Sequence, residues 1–419
     1  MPAPPADHGD RTYQGKDTCR RASTLRVMPS RRSFLAASAS AVAVGTAGCL
    51  GGDGGGADAS PGTDEDTDWP LPDHDPGASS YAENAAAPRS TPSERFAVET
   101  SLPTDRPAVA DGAVYLPTMS GLVALDASDG TERWRFSTDD AGSEWVRSPA
   151  IHDGTVYVTG ELGLHALDAS DGSERWRVET PERVQAPVAA MRDWNALFVG
   201  DEAGNVYRVA LDGTVEWRTE VFGPVTRVVS DAIAGPYVGT AGGEVYRLYD
   251  GRGLWRKRVP GKVTALAHGD GGGPYVGTFG GGVLRLQDGA HAGRPRWHAE
   301  EGPLAHRAFA LAGDGVFGSE MAGISRLRRR TGDRDWRLEG DHGSAPAAAG
   351  DTVYVGGDGA VTAYKLGGGV GTGGSRVDPR RWTYDLGERN GGHVAVADGA
   401  LFVPISGGEK GPTELVALE

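Results

Sequence analysis

The stretch SERFAVET, residues 93–100, returns almost unchanged eighty residues later as SERWRVET, residues 173–180. The second copy ends a longer unit that begins near Pro149, whereas the first copy stands before any complete unit has begun. The final strand of a repeat that precedes the first complete repeat is typical of a closed ring. We therefore expect residues 93–100 to complete the last unit of the chain.

Two consecutive segments show the repeat most clearly. Residues 107–138 read PAVADGAVYLPTMSGLVALDASDGTERWRFST, and residues 149–180 read PAIHDGTVYVTGELGLHALDASDGSERWRVET. They align without a gap at a period of 42 residues. Each contains four strand-sized pieces with alternating apolar residues, separated by turns of the Asp-Gly type. Glycine accepts a positive φ and aspartate bonds to its own backbone, so these turns predict tight antiparallel hairpins.

One aromatic residue marks each unit near its last strand, and these marks recur at spacings of 38 to 46 residues. The marks are Phe96, Trp134, Trp176, Trp217, Trp255, Trp297, Trp336 and Trp382. Eight marks with four strands per unit predict an all-β fold, an eight-bladed β-propeller over residues 94–419. We expect strand 94–100 to pair with strand 413–419 and close the ring. Because the aromatics occupy one position of the repeat, we expect them to pack between blades rather than to bind a ligand.

The N-terminal residues 1–49 resemble a twin-arginine export signal that ends in a lipid-modified cysteine. Arg31 and Arg32 form the pair, a short apolar run follows, and the chain then reads TAGC up to Cys49. The run is shorter than the roughly 20 residues that a membrane-spanning helix needs. We expect an exported protein that a lipid on Cys49 anchors to the outer face of the cytoplasmic membrane. Met28 is an alternative start, which would leave residues 1–27 upstream of the protein.

The composition fits an acidic exported protein. The net charge is −15, and the two cysteines are Cys19, ahead of the signal, and Cys49. The exported part therefore offers no disulfide and no cysteine metal site. Its acidity argues against nucleic acid as a partner and resembles proteins of salt-loving archaea, although a GC-rich genome is an alternative source. We expect residues 50–68 to form a disordered linker and residues 69–93 a lead-in segment.

A repeated motif carries a resemblance to a known family. The pattern A-x-D-x-x-x-G-x-x-x-W occurs at residues 124–134 and 166–176. It resembles the tryptophan-docking repeat of the propellers called pyrroloquinoline quinone (PQQ)-like, and the resemblance covers residues 94–419. That family includes dehydrogenases that use PQQ and calcium, and also non-catalytic members similar to the assembly factor BamB. The lead-in sequence WPLPDHDP is similar to the segment that precedes the first blade in such proteins.

The resemblance leaves two classes of function open. The chain lacks the adjacent cysteine pair of many PQQ alcohol dehydrogenases, a recognisable calcium-ligand cluster, and long insertions that would wall a cofactor pocket. We therefore expect a monomeric scaffold that binds other cell-surface or membrane proteins, with no catalytic residue, metal or cofactor. The alternative is a dehydrogenase of an alcohol or sugar that uses PQQ and calcium. A propeller that binds surface polysaccharide is a third hypothesis.

The repeat alignment also predicts a candidate binding mouth. Residues just before the first strand of each unit are expected to converge where the central channel opens. That position supplies Trp145, Arg147, Gln185, Lys262, His306, Arg307 and His393. Such a group of cations in an acidic protein predicts a site for an anion or a partner, and plain solvation of loops is the alternative. Trp145 and Trp194 lie outside the repeat register and are candidate interface anchors.

Overall fold

The computed structural model describes residues 68–137, 145–161, 163–191, 193–231, 235–269, 272–303, 307–320, 323–368, 371–372, 375–407 and 411–419. Arg31, Arg32 and Cys49 of the predicted signal lie outside these residues, as do residues 50–67 of the predicted linker and His306. Apart from one 3-10 turn at Gly289–His291, the regular elements of the described chain are β-strands. None of its elements is a helix long and apolar enough to cross a membrane.

Eight antiparallel units follow one another along the described chain, the first six as separate four-stranded sheets. The last two units share one eight-stranded sheet, in which Tyr81–Ala82 of the lead-in segment pairs in parallel with the first strand of the seventh unit. The strands of the first two units are Ala108–Ala110, Ala113–Thr118, Gly121–Asp126 and Glu132–Phe136, then Val146–His152, Thr155–Gly160, Gly163–Asp168 and Glu174–Glu179. Those of the third and fourth are Ala189–Ala190, Leu197–Gly200, Asn205–Val209 and Val215–Glu220, then Val225–Asp231, Gly235–Thr240, Glu244–Tyr249 and Arg252–Arg258. The first strand of each unit lies innermost, because the first strands of neighbouring units contact one another.

The remaining units keep this pattern with local changes. The fifth and sixth consist of Val263–Ala267, Tyr275–Thr278, Gly282–Leu286 and Pro295–Ala299, then Ala310–Ala312, Gly315–Glu320, Gly323–Arg328 and Arg334–Glu339. In the seventh, Ala347–Ala349 comes first, one continuous run Thr352–Lys365 covers the second and third positions, and Arg380–Gly391 is outermost. A small hairpin, Gly371–Thr372 with Ser375–Arg376, is inserted before that outer strand and accounts for the longest spacing between tryptophans.

The eighth unit joins the two ends of the propeller. It contains Ala395–Ala397, Ala400–Ser406 and Glu414–Leu418, and the strand Glu94–Glu99 completes it. Phe96 lies opposite Ala417, and Val98 lies opposite Leu415. This is the pairing expected from the displaced SERFAVET stretch, and it joins the first and the last strand of the propeller in one unit.

Apolar clusters fill the interfaces between units around the whole ring. Six clusters join the successive units from the first to the seventh, and a larger one joins the seventh, eighth and first. The alternating strand pattern explains them, because every second side chain of a strand faces the neighbouring blade. The all-β propeller fold predicted from the repeat is therefore confirmed.

The repeated tryptophans lie at these interfaces. Trp134 packs against Gly172 of the second unit, where an added Cβ would come within 2.5 Å of the indole ring. Its Nε1 donates a hydrogen bond to the carbonyl of Ala169, at 2.8 Å. Trp176 repeats both contacts one unit further on, with Gly213 and with the carbonyl of Leu211. Glycine is required at the receiving position because the indole occupies the place of a side chain and because φ is positive there.

The lead-in segment runs around the inside of the ring. Trp69 exchanges two backbone hydrogen bonds with Val109 of the first unit. Carbonyls further along the segment then accept hydrogen bonds of 2.7–2.8 Å from the inner strands of the second, fourth, fifth, sixth and seventh units, in that order. The donors are Ile151, Ser230, His268, Leu311 and Ala348. The segment thereby ties six of the eight units together and forms the floor of the mouth described below.

Candidate functional site

One face of the propeller collects the loops that lead into the first strands. Because strands alternate in direction within a unit, the turns between second and third strands lie on this same face. We call it the mouth face. Residues 100–107 and 180–188 are examples of lead-in loops, and residues 119–120 and 279–281 are examples of the turns.

Four of the residues predicted for the mouth line one cavity of about 30 Å³. They are Arg147, Gln185, Arg307 and His393. The same cavity is lined by Asp73 from the lead-in segment and by Asp105, Arg106 and Arg227. We call this cavity the inner pocket. The structure thus brings four of the predicted residues to one cavity, whereas Asp73, Asp105, Arg106 and Arg227 were not among the predicted residues.

The other predicted residues lie around the inner pocket or away from it. Trp145 does not line the pocket, but its ring packs 4.8 Å from the guanidinium carbon of Arg147. Lys262 is exposed and does not line the inner pocket, and its carbonyl accepts a hydrogen bond from the amide of Phe279 in the turn of its own unit. Gln185 is exposed at the rim, and its amide donates to Glu202. Trp194 stacks on His152 at 4.4 Å, between the second and third units.

Asp105 is the hub of the polar contacts in the mouth. Its carboxylate accepts hydrogen bonds from Arg307 at 3.1 Å, from the hydroxyl of Ser148 at 3.1 Å and from the backbone N–H of Arg106 at 3.0 Å. Burial raises the pKa of this carboxyl, but the charges of Arg307 and Arg147 and the hydrogen bond from the Arg106 amide outweigh burial and hold the pKa below its usual value. Asp105 is therefore ionised at neutral pH.

Two of the contacts of Asp105 come from residues with unusual backbone. Arg307 has a φ of +75° and Ser148 has a φ of +54°. Side chains other than glycine seldom adopt this left-handed region, and it persists only where surrounding contacts enforce it. Both residues reach Asp105 from other units, so this carboxylate lies where two strained segments meet.

Arg106 and Asp73 form the floor of the inner pocket. Arg106 is only 2% exposed, and its guanidinium donates to Asp73 at 2.8 Å and to the carbonyls of Pro72, Ala345 and Pro346 at 3.1 Å. Burial lowers the pKa of Arg106 and raises the pKa of Asp73, more than the nearby opposite charges compensate. The pair joins the lead-in segment to the first and seventh units.

Arg147 and Arg227 contribute positive charge that carboxylates do not neutralise directly. Arg227 donates through Nε to the carbonyl of Arg307, at 2.7 Å, and through Nη1 to the carbonyl of Thr226, at 2.8 Å. The Nε atom of Arg147 is buried without a hydrogen-bond partner in the described chain. Burial lowers the pKa of both guanidiniums, which remain charged because their ordinary pKa is so high.

His393 is a neutral hydrogen-bond donor in the mouth. Its Nδ1 accepts the backbone N–H of Ala345 at 2.7 Å, so the ring proton of the neutral form resides on Nε2. Burial first, and then the charge of Arg307, hold the pKa of His393 well below its usual value. The imidazole therefore stays uncharged at neutral pH.

A second cavity of about 190 Å³ opens beside the inner pocket. It shares Asp105, Arg307 and His393 with the inner pocket. Its other walls come from three places: Pro103 and Thr104 in the loop into the first unit, Asn390, Gly391 and Gly392 at the end of the outer strand of the seventh unit, and Pro404 and Ser406 on a strand of the eighth. We call it the outer pocket. The two pockets together form a path from the surface to the buried arginines.

A larger cavity of about 490 Å³ lies elsewhere, on the outer rim between Arg334–Leu338 and the segment from Val377 to Pro379. Two acidic residues, Asp335 and Asp378, line this cavity. Asp335 is already paired with Arg326 and Arg328. Volume alone does not make a site, since a binding pocket also needs several polar groups that converge on a ligand. The mouth gathers charged groups from the lead-in segment and from the first, second, fourth and sixth units around one cavity, whereas the rim cavity is lined by one strand and one short segment.

The mouth does not fit a quinone bound through calcium. Its inner pocket, about 30 Å³, is far too small for a tricyclic quinone. Asp73 and Asp105 are already paired with arginines, and the described residues contain no group of three or more His, Cys, Asp or Glu side chains that could hold a metal ion. We therefore derive no chemical step through such a cofactor.

Another position of the repeat could have predicted Arg227, which the predicted set of mouth residues did not contain. Asp105, Arg147, Arg227 and Arg307 each stand ten residues before the aromatic residue of the second strand of their unit. Those aromatic residues are Tyr115, Tyr157, Tyr237 and Phe317. Alignment on this aromatic rather than on the tryptophan would have brought Arg227 into the set. The lead-in residue Asp73 carries no such signal.

Two histidines lie inside the fold with polar partners. His165 and His342 are buried. His165 pairs with Glu174 at 2.8 Å, and His342 bonds to the hydroxyl of Tyr364 at 2.8 Å. A polar partner for each ring makes burial tolerable, which the sequence alone does not reveal.

Solved structures share this fold at low sequence identity. BamB from Moraxella catarrhalis is 17% identical with a TM-score of 0.62, over 79% of this chain and 98% of that one. A europium-containing methanol dehydrogenase is 13% identical with a TM-score of 0.60, over 81% and 89%. The C-terminal WD40 domain of Sif2 is 12% identical with a TM-score of 0.63, over 79% and 99%. These identities establish a shared fold and nothing finer.

The sequence itself matches a family. No curated protein matches the chain at a significant level. The model of the family described as outer membrane protein assembly factor BamB matches residues 118–248 and 234–377, which together exceed half of the chain. The chain therefore belongs to this BamB family of β-propellers.

Proposed function

We propose that this chain is an exported, lipid-anchored propeller that acts as a non-catalytic protein-binding scaffold at the cell surface. Its partners in this proposal are other cell-surface or membrane proteins, which it binds as a monomer. Membership of the BamB family supports a propeller of this kind. The signal-like residues Arg31, Arg32 and Cys49 support export and anchoring.

The observation that carries the proposal is Phe222, an exposed aromatic on the mouth face. Its side chain is 64% exposed on the loop into the fourth unit. Its backbone N–H donates to the hydroxyl of Tyr246 at 3.0 Å, and the guanidinium of Arg256 lies 5.9 Å from its ring. Arg256 is itself fixed by two hydrogen bonds to Glu244, at 2.8 and 2.9 Å.

An exposed aromatic is suited to protein binding. Its burial by a partner removes a large apolar surface from water, and a phenylalanine has only two side-chain dihedral angles to fix. Phe279 of the fifth unit is 61% exposed on the same face. Leu102 and Met119 are exposed on this face at the first unit. The mouth face thus carries several apolar anchors around a cationic centre.

Crosslinking in native membranes at high salt tests the scaffold function. We expect Phe222→Ala to reduce recovery of the crosslinked partner about fivefold or more, as for a typical interface anchor. Tyr249→Ala is the matched control, since Tyr249 is 54% exposed on the opposite face of the same unit. Identical crosslinked proteins for wild type and both variants would contradict a docking surface on the mouth face.

Anchoring is tested separately from binding. We expect Cys49→Ser to release the protein from membranes, because the lipid would no longer be attached. Replacement of Arg31 and Arg32 by lysine should leave the protein inside the cell. Membrane fractionation measures both results, and a membrane-bound Cys49→Ser protein would count against the lipid anchor.

The dehydrogenase alternative has its own test. The scaffold proposal predicts no saturable change in quinone absorbance on titration with PQQ and Ca²⁺, and no dye reduction with alcohols or sugars. Either signal would establish the enzyme instead. For the polysaccharide alternative, Trp145→Ala would weaken glycan binding, but one face of this ring is already covered by Arg147.

A further inference from the structure

We propose that the mouth of the channel binds a single carboxylate group. The carboxylate would enter the inner pocket beside Arg147, Arg227 and His393, and a short tail would lie in the outer pocket. This inference deepens the proposed scaffold function and rests on it for one source of the ligand, the C-terminal carboxylate of a partner peptide. The other source with the same chemistry is a small free organic acid.

The inner pocket carries a net positive charge, which favours an anionic ligand. Four arginines line it against two aspartates: Arg106, Arg147, Arg227, Arg307, Asp73 and Asp105. Arg106 pairs with Asp73 and Arg307 pairs with Asp105. Within the described part of the chain, Arg147 and Arg227 have no ion pair. The pocket therefore holds an excess of two positive charges, in a chain whose net charge is −15.

Hydrogen-bond donors with spare capacity meet at this excess charge. Arg147 has a buried Nε without a partner in the described residues, and Arg227 commits its Nε and Nη1 to backbone carbonyls. His393 accepts at Nδ1, which leaves the N–H at Nε2 as a donor. Guanidinium groups bind planar carboxylates through paired N–H donors, more strongly than neutral groups do.

The volumes of the two pockets limit the size of the ligand that can bind. The inner pocket, about 30 Å³, admits one small group and excludes a ring or a sugar. The outer pocket, about 190 Å³, is the size of one or two small amino-acid residues. Its walls at Pro103, Gly391 and Pro404 suit an uncharged tail. Asp105 also lines both pockets. Arg307 neutralises its carboxylate, and hydrogen bonds from Arg307 and from the hydroxyl of Ser148 hold the carboxylate in place.

Isothermal titration of the full-length chain with N-acetyl-dialanine tests the site. We expect the free acid to bind and its C-terminal amide to bind at least about tenfold more weakly, because the amide lacks the charge that the arginines would pair. Arg147→Gln should weaken binding of the acid by at least about tenfold. Lys262→Gln is the matched control, since Lys262 is an exposed cation on the same face outside both pockets, and it should bind like wild type.

Acetate distinguishes the two sources. Acetate that binds as tightly as the dipeptide acid indicates small organic acids, and clearly weaker acetate indicates a peptide C-terminus. Equal binding of acid and amide, no binding of either acid, or binding of chloride alone would overturn the proposal. If thermal unfolding shows that Arg147→Gln is misfolded, Arg227→Gln takes its place with the same expected loss.

The titration can fail independently of the scaffold function. If the membrane crosslinks persist but the acid does not bind, the carboxylate site is contradicted and the scaffold function still stands. If the acid binds without any Phe222-dependent crosslink, the carboxylate site stands and the scaffold function is contradicted.

Discussion

Asp105 connects three units of the ring through one side chain. It belongs to the loop into the first unit, accepts from Ser148 of the second and from Arg307 of the sixth, and also receives the amide of Arg106. Each of these contacts strengthens when the carboxylate is charged. The charge of Asp105 therefore contributes to stability as well as to the shape of the mouth.

We expect Asp105→Asn to lower the free energy of unfolding at pH 7 by about 2–3 kcal/mol, because Arg307 and Arg147 would lose their compensating charge in a partly buried place. Chemical denaturation measures this loss. Glu182→Gln is the control, since Glu182 is an exposed acid on another mouth-face loop and should change stability by less than about 0.5 kcal/mol.

The same substitution has a defined pH dependence. The pKa of Asp105 is lower in the folded protein than in the unfolded chain, where it is about 3.9. Its contribution is therefore fully present above about pH 5 and is lost as pH falls through 3.9 towards the folded value. The difference between wild type and Asp105→Asn should shrink in this acidic range. A constant difference down to pH 3 would show that charge is not the cause.

Gly172 tests the packing of tryptophan between blades. An added Cβ would lie 2.5 Å from Trp134, and φ is +74°. Gly154 has a similar φ of +65° with nothing within 4 Å, so it isolates the backbone cost. We expect Gly154→Ala to cost about 1 kcal/mol and Gly172→Ala about 1–3 kcal/mol more. Equal losses in denaturation experiments would mean that the indole does not restrict this position.

At the scale of elements, the lead-in segment is the part of the fold that the repeat does not explain. Trp69 is fully buried, and Arg106 lies 5.4 Å from its ring. Apart from this segment, the inner strands of the described chain have no neighbouring strand on the channel side. Carbonyls of the segment accept hydrogen bonds from backbone N–H groups of these strands. It therefore stabilises the inner rim of the ring and closes the bottom of the mouth.

We expect Trp69→Ala to lower the free energy of unfolding by about 3–5 kcal/mol, as for a large buried aromatic. The amides of Ile151 and Ser230, which donate to the segment, should exchange faster with solvent. Hydrogen exchange read by mass spectrometry checks both peptides, with exposed Leu254→Ala as the control. Unchanged exchange at Ile151 and Ser230 would show that the segment does not hold the inner strands.

At the scale of the whole molecule, the sequence predicts the ring well because each unit repeats the same alternation and turns. Trp134 and Trp176 with their glycines define a period, and the displaced strand at Phe96 predicts how the ring closes. These features are local and repeated, so a single chain reveals them.

The mouth was only partly predictable, for a physical reason. The pairing register shifts between Val225 and Arg227 and between Arg147 and Ala150. A bulge redirects a side chain that strict alternation would assign to the other face. Asp73 comes from outside the repeat, so alignment of the units cannot place it beside Arg106. Its position depends on the path of the lead-in segment through the ring.

Closure of the ring underlies the whole account, because the outer pocket is lined by Pro103 and Thr104 of the first unit and by Pro404 and Ser406 of the eighth, which lie side by side only in a closed ring. A cysteine pair at Ala97 and Val416, which lie opposite each other, tests it directly. We expect Ala97→Cys with Val416→Cys to form a disulfide on mild oxidation, found by mass spectrometry as one linked peptide pair. Ala97→Cys with Val215→Cys, placed on a distant unit, should remain unlinked. Absence of the first link, or equal formation of the second, would contradict the closed propeller and the mouth built on it.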